Sequence, residues 1–204
     1  MATYQPHDRY YRKARAQGLV SRAAFKIEEI ITRSKLVRRD ARIVDLGCAP
    51  GGWLVILARA AGPAGRVVGV DLARCSNPPA PAVTVVGDIT DEKTFERVIA
   101  ALGGPADLVT SDLAPKLSGI AARDQAQAER LLSAARNFAR RALKPGGAMV
   151  AKVFMGAEFK QILVDFESDF EQVEVTRPAA TRPGSSELYV VARGFKGKGD
   201  LTGA

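Results

Sequence analysis

Two cysteines and one histidine in 204 residues leave little material for metal or disulfide chemistry. Cys48, Cys75 and His7 are too few to build a structural zinc site, so no metal is expected and two reduced structural thiols are. No apolar run approaches the roughly 18 residues needed to span a bilayer. The opening MATYQPHDRYYRKARAQ also lacks the hydrophobic region of a signal peptide, so no membrane association and a cytoplasmic location are expected. Internal repeats and low-complexity linkers are absent too. The chain is expected to form one domain over residues 1–204, with a basic arm over about 1–20, and to act as a monomer.

What is present is an ordinary globular composition, 47% hydrophobic and 25% charged, with a net charge of +8. That charge is unevenly placed. Residues 1–42 hold 11 Lys/Arg against 4 Asp/Glu, or +7, and residues 176–204 hold 5 against 2, or +3. The remaining 14 against 16 leave the middle at −2. Basic ends on a near-neutral body suit a polyanion partner, because Lys and Arg release counterions from phosphates. A merely solubilising surface is the alternative.

Along the chain, Ser21 is the expected N-cap of a helix through RAAFKIEEIITRS. β-like runs then alternate with helical ones: RIVDLG, a helix from about Gly52, RVVGVDL, AVTVVGD, a helix from about Asp91, and ADLVTSDL. A long helix over DQAQAERLLSAARNFARRAL is closed by KPGG; AMVAKVF, a helix near AEFKQILVDFESD, FEQVEVT and SELYVVARG follow. Such alternation predicts an α/β fold, a mostly parallel seven-stranded sheet with helices on both faces. The last two strands are joined by RPAATRPGSS, which has no room for a crossover helix, so one of them is expected to run against the rest.

Ligands of open α/β sheets sit beyond the carboxyl ends of the parallel strands. Those ends carry Asp45 with the turn 47–52, then Asp71, Asp88 and Asp112. Each aspartate taken singly suits a helix cap or turn, but four in succession at one edge suggest a site. The turn DLGCAPGGW lacks both the Gly-Lys-Ser/Thr ending of a phosphate loop and the G-x-G-x-x-G of dinucleotide enzymes. Asp71, 26 residues past Asp45, stands near the usual place of a ribose-hydroxyl acceptor, and Asp88 is suited to an adenine amine. A nucleoside cofactor without a triphosphate is implied, S-adenosylmethionine first and NAD as its competitor.

Lys152 interrupts the apolar strand AMVAKVF, and a lysine buried there is costly unless paired or functional. Lys26, three residues after Ala23 and four before Ile30, shares the inward stripe of its helix, although a snorkelling lysine fits the same spacing. Glu187 opens the last strand. If that strand is antiparallel, its start meets the ends of TSDL and AKVF, so that topology gathers Asp112, Lys152 and Glu187. An edge-strand charge that discourages aggregation is the other reading of Glu187.

The segments SRAAFKIEEI, VDLGCAPGGW, SDLAP, KPGGAMVAKVF and SSELYVVA resemble, in order and spacing, the RrmJ/FtsJ-type ribose 2′-O-methyltransferases, over roughly residues 10–193. The resemblance implies a Rossmann-like S-adenosylmethionine-dependent methyltransferase fold. It implies a catalytic tetrad at Lys26, Asp112, Lys152 and Glu187, and cofactor contacts at Gly51, Trp53, Asp71 and Asp88, with Asp112 near the methionine portion. Cys48 and Lys116 depart from the alanine and asparagine usual in the family. The implied activity is S-adenosyl-L-methionine-dependent 2′-O-methylation of a ribose, a uridine foremost, in 23S large-subunit ribosomal RNA, with ribosomal RNA or the large ribosomal subunit as partner. A tRNA methyltransferase and a non-catalytic RNA-binding ribosome-assembly factor are the alternatives. In this scheme Lys152 serves as base or aims the ribose oxygen, its pKa lowered by burial and by Lys26, while Asp112 and Glu187 hold the lysines. Lys116, RYYRKAR and TRPAATR are candidates for phosphate contact, with Tyr10 and Tyr11 as stacking platforms.

Overall fold

The computed structural model describes residues 12, 14, 16 and 21–197 apart from 76 and 117. His7, Tyr10, Tyr11 and most of the basic arm lie outside them. Helix α1 (Ala23–Arg33) precedes β1 (Arg42–Leu46), α2 (Gly52–Ala61), β2 (Arg66–Asp71), β3 (Ala82–Val86), α3 (Glu92–Leu102) and β4 (Ala106–Ser111). Then come α4 (Ala121–Ala142), β5 (Leu143–Phe154), α5 (Phe159–Asp169), β6 (Phe170–Thr176) and β7 (Glu187–Phe195).

These seven strands form one sheet in the order β3-β2-β1-β4-β5-β7-β6. The first five positions in that order are parallel, and β7 runs antiparallel to both β5 and β6. The expected reversed strand is therefore β7. Strands buried on both faces read as continuous Val/Ile/Leu runs, and β1 illustrates why. Ile43 joins the cluster under α1 and α2, while Val44 and Leu46 join the cluster under α3, α4 and α5. Asp91 caps α3, its carboxylate accepting from the Lys93 amide and the Thr94 hydroxyl, and Gly103 at φ +72° ends it. Among the described residues no helix is long and apolar enough to cross a membrane.

Two local expectations need correction. Ser21 does not cap α1: the N-cap is Arg22, with no side-chain cap bond. The Ser21 hydroxyl lies under the start of α2 instead, where a Cβ on Gly52 would come within 2.5 Å of it. KPGG does not separate helix from strand either, because β5 begins directly at Leu143. Ala106 pairs with Leu143 but Leu108 pairs with Ala148, so these residues form an irregularity within the strand, with Gly146 at φ +77°. A left-handed residue lets surplus chain leave the ladder and rejoin it.

Candidate active site

Period-two geometry sets the site. Lys152 lies opposite Tyr189 in the β5–β7 register, and Phe154 lies opposite Glu187. Residues two apart on a strand share a face, so Glu187, Tyr189 and Lys152 point to the same side. Asp112 follows β4 immediately, and its amide bonds to the Leu46 carbonyl at 3.1 Å, so it stands at the carboxyl edge between β1 and β5. Lys26 arrives from α1. That helix is fastened in two ways to the segment before β7: Arg22 donates to the Ala180 carbonyl at 2.5 Å, and the Glu29 carboxylate accepts from the Ala179 amide at 2.9 Å.

All four residues expected in the tetrad come together as two lysine–carboxylate pairs. Lys26 Nζ lies 2.5 Å from Glu187 Oε1. Lys152 Nζ donates to the Asp112 carbonyl at 2.8 Å and lies 3.1 Å from its Oδ1. The nearest charged partner of each lysine is thus a carboxylate. The side chains of Lys152 and Lys26 are only 8% and 11% exposed, so neither ammonium is freely hydrated. Removing one partner from a pair at this depth costs about 3–5 kcal/mol, because the other charge is left uncompensated.

Tyr189 joins the pairs, a role that reasoning from sequence missed. Its hydroxyl lies 2.9 Å from both Asp112 Oδ1 and Glu187 Oε1, and Lys26 Nζ approaches it at 3.4 Å. Burial, and next the charges of Asp112 and Glu187, push the phenol pKa far up, so it remains a donor. Burial also works to raise the Glu187 carboxyl, but the hydrogen bond and charge of Lys26, helped by Tyr189 and Lys152, hold it below the usual range. The signal for Tyr189 was its position two residues after Glu187 on a strand.

Beside the tetrad lies the glycine turn. Gly51 has φ +109°, and a Cβ there would meet Cys75 Sγ at 2.9 Å, so a side chain is excluded both by conformation and by space. Cys48 packs on Gly69, where any Cβ would fall 2.7 Å from its sulfur; a glycine at 69 makes room for the thiol. Both cysteines are buried and free. Asp71 Oδ2 accepts from the Ala49 amide at 3.0 Å and Oδ1 from Ala73 at 2.9 Å, which ties β2 to the turn. Asp88 accepts from the Thr90 amide and hydroxyl, and these bonds lower its pKa. Ionised carboxylates have about four lone-pair sites, so both keep acceptor capacity for a ligand. Trp53 turns its indole inward, donating to the Ala23 carbonyl at 3.0 Å with its ring 5.9 Å from Tyr189, and so braces α1 behind the tetrad.

Asp45 is almost wholly buried, with Oδ1 accepting from Thr110 at 2.7 Å and Oδ2 without a partner. Burial raises its pKa to about 8, against the Thr110 hydrogen bond and with the charges of Asp112 and Asp71 adding to it.

A parallel sheet with a glycine turn after β1, acids at successive carboxyl ends and a reversed β7 defines a Rossmann-like methyltransferase fold. Solved structures share it. A chain described as a ribosomal RNA methyltransferase, from Plasmodium falciparum, superposes with a TM-score of 0.76 at 21% identity, covering 87% of this chain and 99% of that one. A SAM-dependent O-methyltransferase from Thermotoga maritima does so with a TM-score of 0.57 at 16% identity, covering 86% and 67%.

The chain belongs to the FtsJ-like methyltransferase family, which matches it over residues 19–195. It is 46% identical over 186 residues to the Ribosomal RNA large subunit methyltransferase E of Methanothrix thermoacetophila, covering 91% of this chain and 72% of that one. To the protein of that name in Myxococcus xanthus it is 44% identical over 189 residues, covering 92% and 89%. The fold and the family expected from the motifs are borne out.

Proposed function

We propose that this protein transfers a methyl group from S-adenosylmethionine to a ribose 2′-hydroxyl, a uridine foremost, of large-subunit ribosomal RNA. The observation that carries the reading is the pair of shielded lysine–carboxylate contacts, bridged by Tyr189, beside the glycine turn. Relatives named Ribosomal RNA large subunit methyltransferase E support the substrate class.

The residues at the turn fit the cofactor. Gly51 leaves a cradle that a side chain would fill, and Asp71 at the end of β2 and Asp88 just past β3 stand as acceptors for ribose hydroxyls and an adenine amine. Asp45 Oδ2, buried and unpartnered, is a further polar atom at that edge. When bound, the cofactor supplies an electrophilic methyl on a positively charged sulfur.

The chain's own part is to aim a weakly acidic hydroxyl and take its proton. Lys152 Nζ is fixed by Asp112 through both a main-chain and a side-chain oxygen, so its remaining valence is directed rather than free to rotate. It orients the 2′-oxygen and, once it has released its own proton, takes that of the hydroxyl as the oxygen–carbon bond forms and the carbon–sulfur bond breaks. Glu187 holds Lys26, and Tyr189 fixes the spacing of the two carboxylates. Exposed Lys116 and Arg182 at the same edge serve the RNA phosphates. Arg177 donates to the carbonyls of Arg182 and Ser185 and shapes that loop instead.

The test is transfer of label from S-adenosylmethionine to unmodified large subunits, their free RNA and tRNA, with ribose methylation mapped afterwards. Ribose label on ribosomal RNA, lost in Lys152→Ala, is the expected result. Label on tRNA alone overturns the substrate, and cofactor binding without transfer to any RNA overturns the reading in favour of an assembly factor. RNA affinity should also fall linearly with the logarithm of salt concentration.

A further inference from the structure

We infer that Asp45 makes the cofactor site sensitive to the charge on sulfur: its carboxyl gives up a proton when S-adenosylmethionine binds and keeps it when S-adenosylhomocysteine binds. This rests on the cofactor part of the reading above and extends it to a residue outside the tetrad.

Register places the group. Asp45 lies opposite Gly69 of β2 and Thr110 of β4. Two positions beyond those partners come Asp71 and Asp112, so the period of two puts all three carboxylates on one face of the sheet. Ile43, two before Asp45, packs in the cluster under α1 and α2, which also holds Tyr189. Asp45 therefore lies between the acid at the end of β2 and the tetrad, just ahead of the glycine turn.

Neither protonation state of Asp45 is satisfied by the chain alone. The residue is 1% exposed, Oδ1 accepts from Thr110 and Oδ2 meets no partner. As an anion it would be a buried charge beside two others, Asp71 and Asp112, with no lysine or arginine paired to it among the described residues. Lys152 of β5 is held by Asp112, and Lys26 of α1 by Glu187. The side chains that α2 buries include no titratable group, and the thiols of Cys48 and Cys75, both raised by burial, add no positive charge. An unpartnered buried carboxylate takes up a proton instead, and burial raises this one to about 8. Asp45 is thus neutral at pH 7 until a positive charge arrives from outside the chain.

The donor carries such a charge and the product does not. Both have the same ammonium and carboxylate, and they differ in a sulfonium against a thioether. A unit charge about 6 Å from a carboxyl, at an effective dielectric of about 20, moves its proton equilibrium by about a hundredfold. Asp45 then loses its proton to solvent as the donor binds, and its carboxylate attracts the sulfonium. When the methyl passes to the ribose oxygen, the carbon–sulfur electron pair stays on sulfur and the hydroxyl proton leaves. Asp45, with the sulfonium charge gone, takes a proton back from solvent. Turnover thereby removes an attraction that held the donor, which favours release of the product.

Calorimetric titration of the wild type with each ligand, in phosphate and in Tris, counts the protons released. At pH 7 S-adenosylmethionine should release most of one proton more than S-adenosylhomocysteine does. Between pH 6 and 8 the ratio of their affinities should rise in favour of the donor by about fivefold per unit. The carboxyl ¹³C signal of Asp45 reads the same event without any variant, and should move to its ionised position with the donor alone. Asp45→Asn should abolish the extra release and flatten the ratio, with affinity for S-adenosylhomocysteine kept within about twofold. Equal release with both ligands, a ratio that ignores pH, or extra release that persists in the variant would each overturn the assignment. Failure of S-adenosylmethionine to bind overturns the cofactor reading and this inference with it, whereas binding without extra proton release overturns the role of Asp45 alone.

Discussion

At the amino edge of the sheet Asp107 is held by Arg38, at 3.1 Å, by Lys144 and by the Arg42 amide; at the carboxyl edge Asp112 is held by Lys152 and Tyr189. The residue types are the same but the surroundings are not. Arg38 and Lys144 are 67% and 40% exposed, so water takes up their charge if Asp107 is lost. Lys152 has no such recourse. Ion pairs at the surface contribute about 0–1 kcal/mol, whereas a shielded charge that loses its partner is strongly destabilising. Exposure is what separates the two edges: at the carboxyl edge each lysine depends on one carboxylate. Asp107 fastens β1 and β4 together, and Asp112 fixes the Lys152 amine at the end of β5.

Lys152→Ala breaks the carboxyl edge most severely. Turnover should fall by about 10²–10⁴-fold, the range of a lost general acid–base group, with S-adenosylmethionine affinity retained by calorimetry. Near-normal turnover with bound RNA would remove Lys152 from the chemistry.

Asp45 sharpens the contrast through pH. The unfolded carboxyl loses its proton near 3.8, while the folded one keeps it to about 8. Between those values the native state binds more protons, so this group makes stability fall as pH rises, by up to about 1.4 kcal/mol per unit. Denaturation of Asp45→Asn at pH 5, 6, 7 and 8 should show a shallower decline than the wild type; parallel curves would refute it.

Tyr189→Phe removes one proton donor shared by two carboxylates. A loss of about 1–3 kcal/mol in urea unfolding is expected, together with a lower kcat at little change in RNA KM. The smallest effect belongs to the amino edge: Asp107→Asn should cost no more than about 1 kcal/mol and leave methyl transfer unchanged. Equal damage from Asp107→Asn and Tyr189→Phe would erase the distinction between the two edges.

Much of this arrangement was legible beforehand. β-Branched runs ending in Asp or Gly gave away β1, β2 and β4, and the lack of a helix between FEQVEVT and SELYVVARG foretold a reversed strand. A lysine inside an apolar strand pointed to Lys152. Ser21 was misread because its hydroxyl answers to Gly52, thirty-one residues away, and not to its own helix. KPGG was misread because a register irregularity depends on the partner strand, here Ala106 and Leu108 of β4. Tyr189 passed as one more apolar strand residue, since its polarity matters only once three charged groups surround its hydroxyl.

The sequence by itself determined the alternation of strands and helices, the carboxylates at the strand ends, the glycine turn and the identity of the four charged residues, because each is a local matter of side-chain period, branching and backbone freedom. Only the tertiary structure decided that Lys26 pairs with Glu187 and Lys152 with Asp112, and that Tyr189 bridges them. Those are distances across 40 to 161 positions of chain, and only the packing of α1, β4, β5 and β7 around a shared core could set them.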